Sequence, residues 1–475
     1  MIGMLNHLNY KKLADDRVLI TNDFGKYCFL TTEEFSRLLG NSVSNDSELY
    51  SRLREQLFII DAPDIYSQEI ISLLRNMKQY LFTATVLHIF VVTNTCNLRC
   101  EYCQALAHKK GNHGFMSIDT AHRAVDLALQ SPSKKLSFEF QGGEPLMNFP
   151  TVKEIIEYTN SLETEKEVEF NIVTNLTCLT DEILDYFIAN KVSISTSFDG
   201  PKSIHDQNRK SITSISSYDQ VIAAVERIRV RGYDLGFIET TTRNSLGHPR
   251  EIVHEYVRIK ARGIFLRPLT PLGFAKNEWS QIGYTPKEYL EFYESAFYEI
   301  LDINKHGLYF PEQTATLFLH KILQNYGTNY MELRSPCGAG IGQLAYYYDG
   351  NIYTCDEARM LAEAGQNAFL LGNVETATYK SIISSNTCEA TCASSVIETI
   401  PGCCDCVYQP YCGVCPVVNY ATEKDIFPRK PNGYRCQINQ GILDLLFRIL
   451  KENDSETIQI LTSWVKGEPT YERES

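Results

Sequence analysis

The sequence predicts an α/β protein. A parallel sheet with helical crossovers occupies its middle, a small α+β module precedes the sheet, and a cysteine-rich region follows it. Three observations carry this. Six apolar strand patterns alternate with amphipathic helix patterns between residues 86 and 275. Residues 1–80 read as a hairpin followed by helices. Ten of the chain's fifteen cysteines fall between Cys337 and Cys436.

In the N-terminal module, Val18 to Ile20 and Tyr27 to Leu30 flank Asn22-Asp23-Phe24-Gly25, a hairpin turn signal. Thr31 and Glu34 fit a capping box, with Phe35, Leu38 and Leu39 behind it and Gly40 as a stop. Leu49, Leu53 and Leu57 mark a second helix. Cys28 is the only thiol in this stretch, which reads as separation from any redox machinery.

In the middle region, strand candidates end at Thr95, Gln141, Thr174, Phe198, Thr241 and Pro268. Ser117 is placed to cap a helix from Ile118 to Gln130, and Thr180 one that starts at Asp181 and Glu182. Tyr218 to Val230 and Pro249 to Ala261 repeat the pattern. The polar motifs all fall at C-terminal strand ends, the face on which parallel α/β barrels place their chemistry. Each alone could be a turn; four in register favour a site.

Residues 276–336 read as a helical bridge, 337–440 as the cysteine-rich domain and 441–475 as a C-terminal helical segment. With 475 residues, 44% hydrophobic and 22% charged, the composition is that of a globular protein with several domains. A net charge of −13 without a long basic run argues against nucleic acid. The longest apolar run, near Val86 to Val92, is too short to span a bilayer, and Met1 to Val18 lacks a signal-peptide core. The expectation is a soluble, cytoplasmic protein. In reducing cytosol, clustered thiols bind metal rather than forming disulfides.

Cys96, Cys100 and Cys103 form C-x3-C-x2-C directly after the first strand. Three thiolates can hold three irons of a [4Fe–4S] cube and leave the fourth iron open to a chelating ligand. Zinc is the alternative, with His108 as a fourth ligand. Together with Tyr102, Gly142-Gly143-Glu144-Pro145, Asn175 and Ser197-Phe198-Asp199-Gly200 through His205, Asp206 and Arg209, this loop resembles the radical S-adenosylmethionine superfamily over residues 86–275. The resemblance implies a partial (β/α)6 radical SAM barrel and a 5′-deoxyadenosyl radical that abstracts hydrogen from substrate. It also implies an adenosylmethionine site. There, Glu144 accepts from the amino group, Arg209 holds the carboxylate, Tyr102 packs on adenine, and Asn175 and Ser197 reach ribose or methionine. Asp199 joins that site or makes a turn, and the glycines let backbone come close.

Further on, Cys337-x12-Gly350-x4-Cys355 is followed by Cys403-x2-Cys406-x5-Cys412-x2-Cys415 and Cys436. This resembles the SPASM domain, which carries auxiliary [4Fe–4S] clusters, although the family's last spacing is three residues rather than two. The resemblance implies one auxiliary cluster on Cys337, Cys355 and Cys415 and another on Cys403, Cys406, Cys412 and Cys436. Cys388, Cys392 and Cys404 are candidates for the missing ligand of the first, which could also be open. Structural zinc is again the alternative. Asp356, next to Cys355, matches a candidate proton acceptor of the anaerobic sulfatase-maturating enzymes and could equally be a turn or capping residue.

The whole layout resembles maturases of ribosomally made peptides. Asp16 to Gly25, Arg267-Pro268-Leu269 and Pro410 to Pro416 resemble the His-Xaa-Ser system radical SAM maturases. That resemblance implies a precursor peptide substrate, an electron donor such as flavodoxin or ferredoxin, and room for a second radical SAM maturase as partner. Residues 1–80 resemble the winged-helix-like recognition elements of peptide maturases, which implies that they bind the precursor's leader; a purely structural cap over the barrel is the alternative. A formylglycine-generating sulfatase maturase is the alternative enzyme. A non-catalytic zinc or iron–sulfur protein is the alternative of another class.

Overall fold

The computed structural model describes residues 4–44, 47–61, 63–107, 113–428 and 433–468. His108 lies outside the described residues. The predicted α/β class holds. Leu87–Thr93, Lys135–Gly142, Glu167–Thr174, Ser193–Ser197, Leu235–Thr241 and Leu266–Pro268 pair side by side in chain order, all parallel. Sequential order with helical crossovers is what a partial (β/α)6 barrel requires.

Alternation along the strands separates two faces. In Lys135–Gly142, Leu136, Phe138 and Phe140 are buried against helical residues such as Ala124, Val125, Val152 and Ile156. Glu139 and Gln141 point the other way, into the barrel. Ser117 and Thr180 cap their helices as the sequence predicts, each accepting from a backbone N–H three residues on. The helices end earlier than expected, at Ala128 and Arg258. The first strand also stops early, at Thr93. Asn94, Thr95 and Cys96 have left the sheet to build the loop.

The cysteine-rich region is stitched into this same sheet. Gln343–Tyr346 pairs parallel with the first barrel strand, and Asn351–Tyr353 and Leu370–Asn373 continue it antiparallel. His88 and Tyr346 face each other across this seam, with Nδ1 2.9 Å from the phenol oxygen. A four-residue strand with every residue buried gives no alternation to read, so the sequence did not reveal it.

In the N-terminal module, Arg17–Thr21 and Tyr27–Thr31 form the expected hairpin, and an unforeseen strand, Asn9–Lys12, adds to its other side. The Thr31/Glu34 capping box is present. The second helix, Glu48–Glu55, buries Leu49 and Leu53 but ends before Leu57, whose φ is +57°. The separation expected from its cysteine-poor composition is not seen. Thr21 Oγ1 donates to the Val407 carbonyl at 2.7 Å, and Asn9 Nδ2 to that of Cys404 at 2.9 Å. Composition counts thiols and is blind to such long-range polar contacts. Helices Pro286–Lys305 and Gln313–Gln324 link the barrel to the cysteine-rich region, and Tyr434–Glu452 and Ser455–Lys466 pack against them. Among the described residues, no helix is long and apolar enough to cross a membrane.

Candidate functional site

The site begins with two strands that turn back on each other. Leu98–Cys100 pairs antiparallel with Arg209–Ser211, setting Cys100 opposite Arg209. Beside them Gly143 N–H donates to the Thr93 carbonyl at 2.9 Å and Glu144 N–H to that of Thr95 at 2.8 Å. A Cβ on Gly142 would run into the Thr93 carbonyl oxygen, and one on Gly143 into that of Thr95. The glycines therefore permit close approach, and the partner they approach is the backbone leading into the cysteine loop.

Glu144 is buried and turned away from the cavity. Its carboxylate accepts from Thr174 Oγ1 at 2.6 Å, Asn175 N–H at 2.7 Å and Leu146 N–H at 3.0 Å. Burial raises its pKa while these bonds oppose the rise. The sequence reading aimed this carboxylate at a ligand amino group; here it braces the second and third strand ends beneath the loop. Asn175 faces the cavity. Its Nδ2 donates to Asn97 Oδ1 at 3.0 Å and approaches Cys96 Sγ at 3.8 Å, and Leu98 N–H also points at that sulfur, at 3.4 Å. N–H groups aimed at a sulfur favour its thiolate.

Tyr102, Asp199 and Arg209 form one buried network. The Tyr102 hydroxyl reaches both Asp199 oxygens, at 3.1 and 2.9 Å, and Arg209 Nη1 donates to the same hydroxyl. Asp199 also accepts from Asn208 Nδ2 and Thr240 N–H, and its own N–H points at His205 Nδ1. Burial raises the Asp199 pKa against the pull of Arg209. His205 supports this turn, held neutral by burial with its pKa lowered to about 3. Asp206 accepts from Ser216, Ser217 and Tyr218 at the start of the next helix. Burial drives Cys96 well above the ordinary thiol range and Cys100 up to about 11, with Arg209 pulling Cys100 back. A cationic centre is what would turn these thiols into thiolates.

A cavity of about 490 Å³ opens from this loop into the barrel. Cys96, Cys100, Cys103, Tyr102, Gly143, Asn175, Ser197 and Arg209 line it. Glu139, Arg267, Tyr330, Glu332, Asp356 and Glu357 line it as well. Gly142, Glu144, Pro145 and Asp199 stand behind the wall. Asp356 begins the helix Asp356–Glu363 and is ion-paired with Arg359 at 2.7 Å. Burial raises Glu139, and Asp356 nearby adds to this. Glu332 is half-buried, and Arg435 and Arg267 hold its carboxyl well below the usual carboxylate range, while burial and the neighbouring Glu332 push Glu357 above it. Glu139, Arg267, Glu332 and Glu357 were missed as site residues. Period-two alternation in Ser137-Phe138-Glu139-Phe140-Gln141 was the signal available for Glu139; Glu332 and Glu357 carry none.

Cys337, Cys355 and Cys415 are buried together, each raised first by burial; Cys355 and Cys415 both feel Cys337. Cys406, Cys412 and Cys436 form a second group. Burial lifts Cys406 to about 11 with Cys412 and Cys436 adding, and Gln440 Nε2 reaches both Cys406 Sγ and Cys436 Sγ. Cys403 lies on the same loop, its carbonyl accepting from Cys406 N–H. Cys388 and Cys392 share one helix face, and Cys388 Sγ packs against Gly340, between Cys337 and Cys355 in the chain. Among the described residues, no three His, Cys, Asp or Glu side chains gather closely enough for a single metal ion. Thiolates of a cube bind separate irons and stand wider apart than that.

Residues 90–261 match the family model for the radical SAM superfamily. A cysteine-type anaerobic sulfatase-maturating enzyme from Clostridium perfringens is 26% identical over 307 residues, covering 61% of this chain and 78% of that protein. The solved structure of anSMEcpe with bound AdoMet overlays with a TM-score of 0.68 at 20% identity, over 78% of this chain and 98% of that one. Streptococcus suis SuiB bound to precursor peptide SuiA overlays with a TM-score of 0.54 at 13% identity, over 90% and 99%.

Proposed function

We propose that this chain, whose residues 90–261 form a radical SAM domain, is a radical SAM enzyme that modifies a ribosomally made peptide. The observation that carries the reading is the single cavity joining the barrel thiols to Asp356 and Glu357 beside Cys355. Its thiols and Arg209 suit S-adenosylmethionine on a [4Fe–4S] cluster, and its carboxylates suit a substrate residue.

In this reading Cys96, Cys100 and Cys103 hold the cluster, which with bound S-adenosylmethionine supplies the 5′-deoxyadenosyl radical. Arg209, buried with its charge met by Asp199 and Tyr102, offers remaining donors to the methionine carboxylate. Tyr102, Asn175 and Ser197 line the adenosine side. Glu144 acts on the site through Thr174 and Asn175. Asp356 is the proton acceptor from substrate in this reading, supported by its position on the cavity wall and its ion pair with Arg359. The two thiol groups of residues 337–440 fit auxiliary [4Fe–4S] clusters, and residues 1–80 receive the precursor's leader as an added strand. The barrel spans 86–275, with 276–336 as bridge and 441–475 as a C-terminal helical segment. An external one-electron donor of flavodoxin or ferredoxin type completes the cycle, in the cytoplasm. A second radical SAM maturase is the partner to look for.

The alternative is formylglycine formation, favoured by likeness to the sulfatase-maturating enzymes. Mass spectrometry of candidate peptides after anaerobic turnover separates the two. A hydrazide-reactive aldehyde supports the sulfatase reading, and a crosslinked or otherwise altered peptide without aldehyde supports ours. Reconstituted protein that binds iron or zinc but releases no 5′-deoxyadenosine with any peptide would contradict both.

A further inference from the structure

The three N-terminal strands are in register, so that Asn9 lies opposite Thr21 and Thr21 opposite Tyr27. One cross-strand row results, and each member ends on the second thiol region. Asn9 Nδ2 donates to the Cys404 carbonyl at 2.9 Å, between Cys403 and Cys406. Thr21 Oγ1 donates to the Val407 carbonyl at 2.7 Å, directly after Cys406. The Tyr27 ring meets Phe447 edge-on at 5.2 Å, and Phe447 in turn packs on Tyr408 and Tyr411. The Tyr411 hydroxyl, beside Cys412, donates back to the Gly25 carbonyl at 3.1 Å.

The segment from Cys403 to Cys412 consists of turns, without helix or strand of its own. Short backbone bonds such as Cys406 N–H to the Cys403 carbonyl close its turns, and contacts from outside fix where those turns sit. Thr21 and Val407 are buried, so losing the Thr21 hydroxyl leaves the Val407 carbonyl without its partner where water does not easily reach; the Asn9 bond to Cys404 is part-buried and adds to it.

We propose that the Asn9–Thr21–Tyr27 row is a positioning device for the thiol segment. The N-terminal sheet then belongs to the second auxiliary-cluster site and is not a detachable module. The inference rests on the reading that Cys403, Cys406, Cys412 and Cys436 hold a cluster. It differs from leader recognition, which concerns what the sheet binds rather than what it holds.

The test uses the full chain, reconstituted anaerobically as wild type, as Asn9→Ala/Thr21→Val, and as Arg54→Ala, a control on an exposed ion pair of the same module. Iron and sulfide are counted, reduced clusters are followed by low-temperature EPR, and circular dichroism checks folding. Wild type should hold about twelve irons, as three [4Fe–4S] clusters. The double variant should keep its fold and its adenosylmethionine cleavage while losing about four irons and one EPR signal. Arg54→Ala should match wild type. A folded double variant with all clusters and an unchanged EPR signal would overturn the proposal. If the double variant does not fold, Thr21→Val and Thr21→Ser are compared: Ser should keep the wild-type signal and Val shift or lose it, and a wild-type signal in Val overturns the proposal. A wild type that carries iron only on the barrel loop overturns the cluster reading itself and the inference with it, a result visible before any variant is read.

Discussion

The two thiol regions are built in opposite ways. In the barrel, three cysteines sit within eight residues, and Arg209 arrives opposite Cys100 by a short antiparallel pairing. In the C-terminal region, Cys337, Cys355 and Cys415 come from distant segments, and the turn that carries Cys403 and Cys406 accepts hydrogen bonds at Cys404 and Val407 from Asn9 and Thr21, at the far end of the chain. A loop hung on a sheet is specified locally. A set assembled from turns is specified by everything that touches it, so spacing reveals the first and only hints at the second.

The sharpest way to break this comparison is to empty the barrel loop. Replacing Cys96, Cys100 and Cys103 by Ala should abolish 5′-deoxyadenosine release while auxiliary iron persists, as chromatography and iron counting would register. Next, Asp356→Asn should leave uncoupled cleavage unchanged but slow peptide modification by about 100-fold, the lower end for a lost general base. Peptide turnover equal to wild type would leave Asp356 as a helix-start residue paired to Arg359.

Gly143→Ala probes the local side of the comparison. Its Cβ would collide with the Thr95 carbonyl, and the expected cost is about 2 kcal/mol in denaturant unfolding. The collision also moves the loop, so adenosylmethionine affinity should fall with it. An unchanged unfolding midpoint would mean that the loop gives way freely.

The smallest effect concerns the seam between the regions. Burial keeps His88 neutral, its pKa lowered from 6.5 to about 3, and its Nε2 has no hydrogen-bond partner among the described residues. The unfolded chain therefore binds a proton that the folded chain refuses between these values. Stability present above pH 6.5 is lost as pH falls toward 3, by up to about 1.4 kcal/mol per pH unit from this group. His88→Phe should flatten that part of the profile, read as unfolding midpoints between pH 7 and 5. An equal slope in the variant would contradict the assignment.

Much of the barrel was legible because apolar periodicity and capping residues act locally. Ser117, Thr180 and the strand end at Thr174 fall where the sequence puts them. Glu144 shows where legibility stopped. Its motif was visible, but its direction depends on Thr174 and Asn175, which strand pairing brings to it. Glu332 and Glu357 meet Arg267 and Arg435 only after the chain has folded. The seventh strand joining the regions, Gln343–Tyr346, is too short and too uniformly buried to show a period.

The central claim is that two differently built thiol regions serve one cavity with different tasks. It is tested most directly by measuring 5′-deoxyadenosine and iron side by side in the Cys96/Cys100/Cys103→Ala and Cys337/Cys355/Cys415→Ala proteins. The first protein should release no deoxyadenosine but retain iron, and the second should retain uncoupled deoxyadenosine release with no peptide product. Deoxyadenosine release from the first protein at the wild-type rate would contradict it.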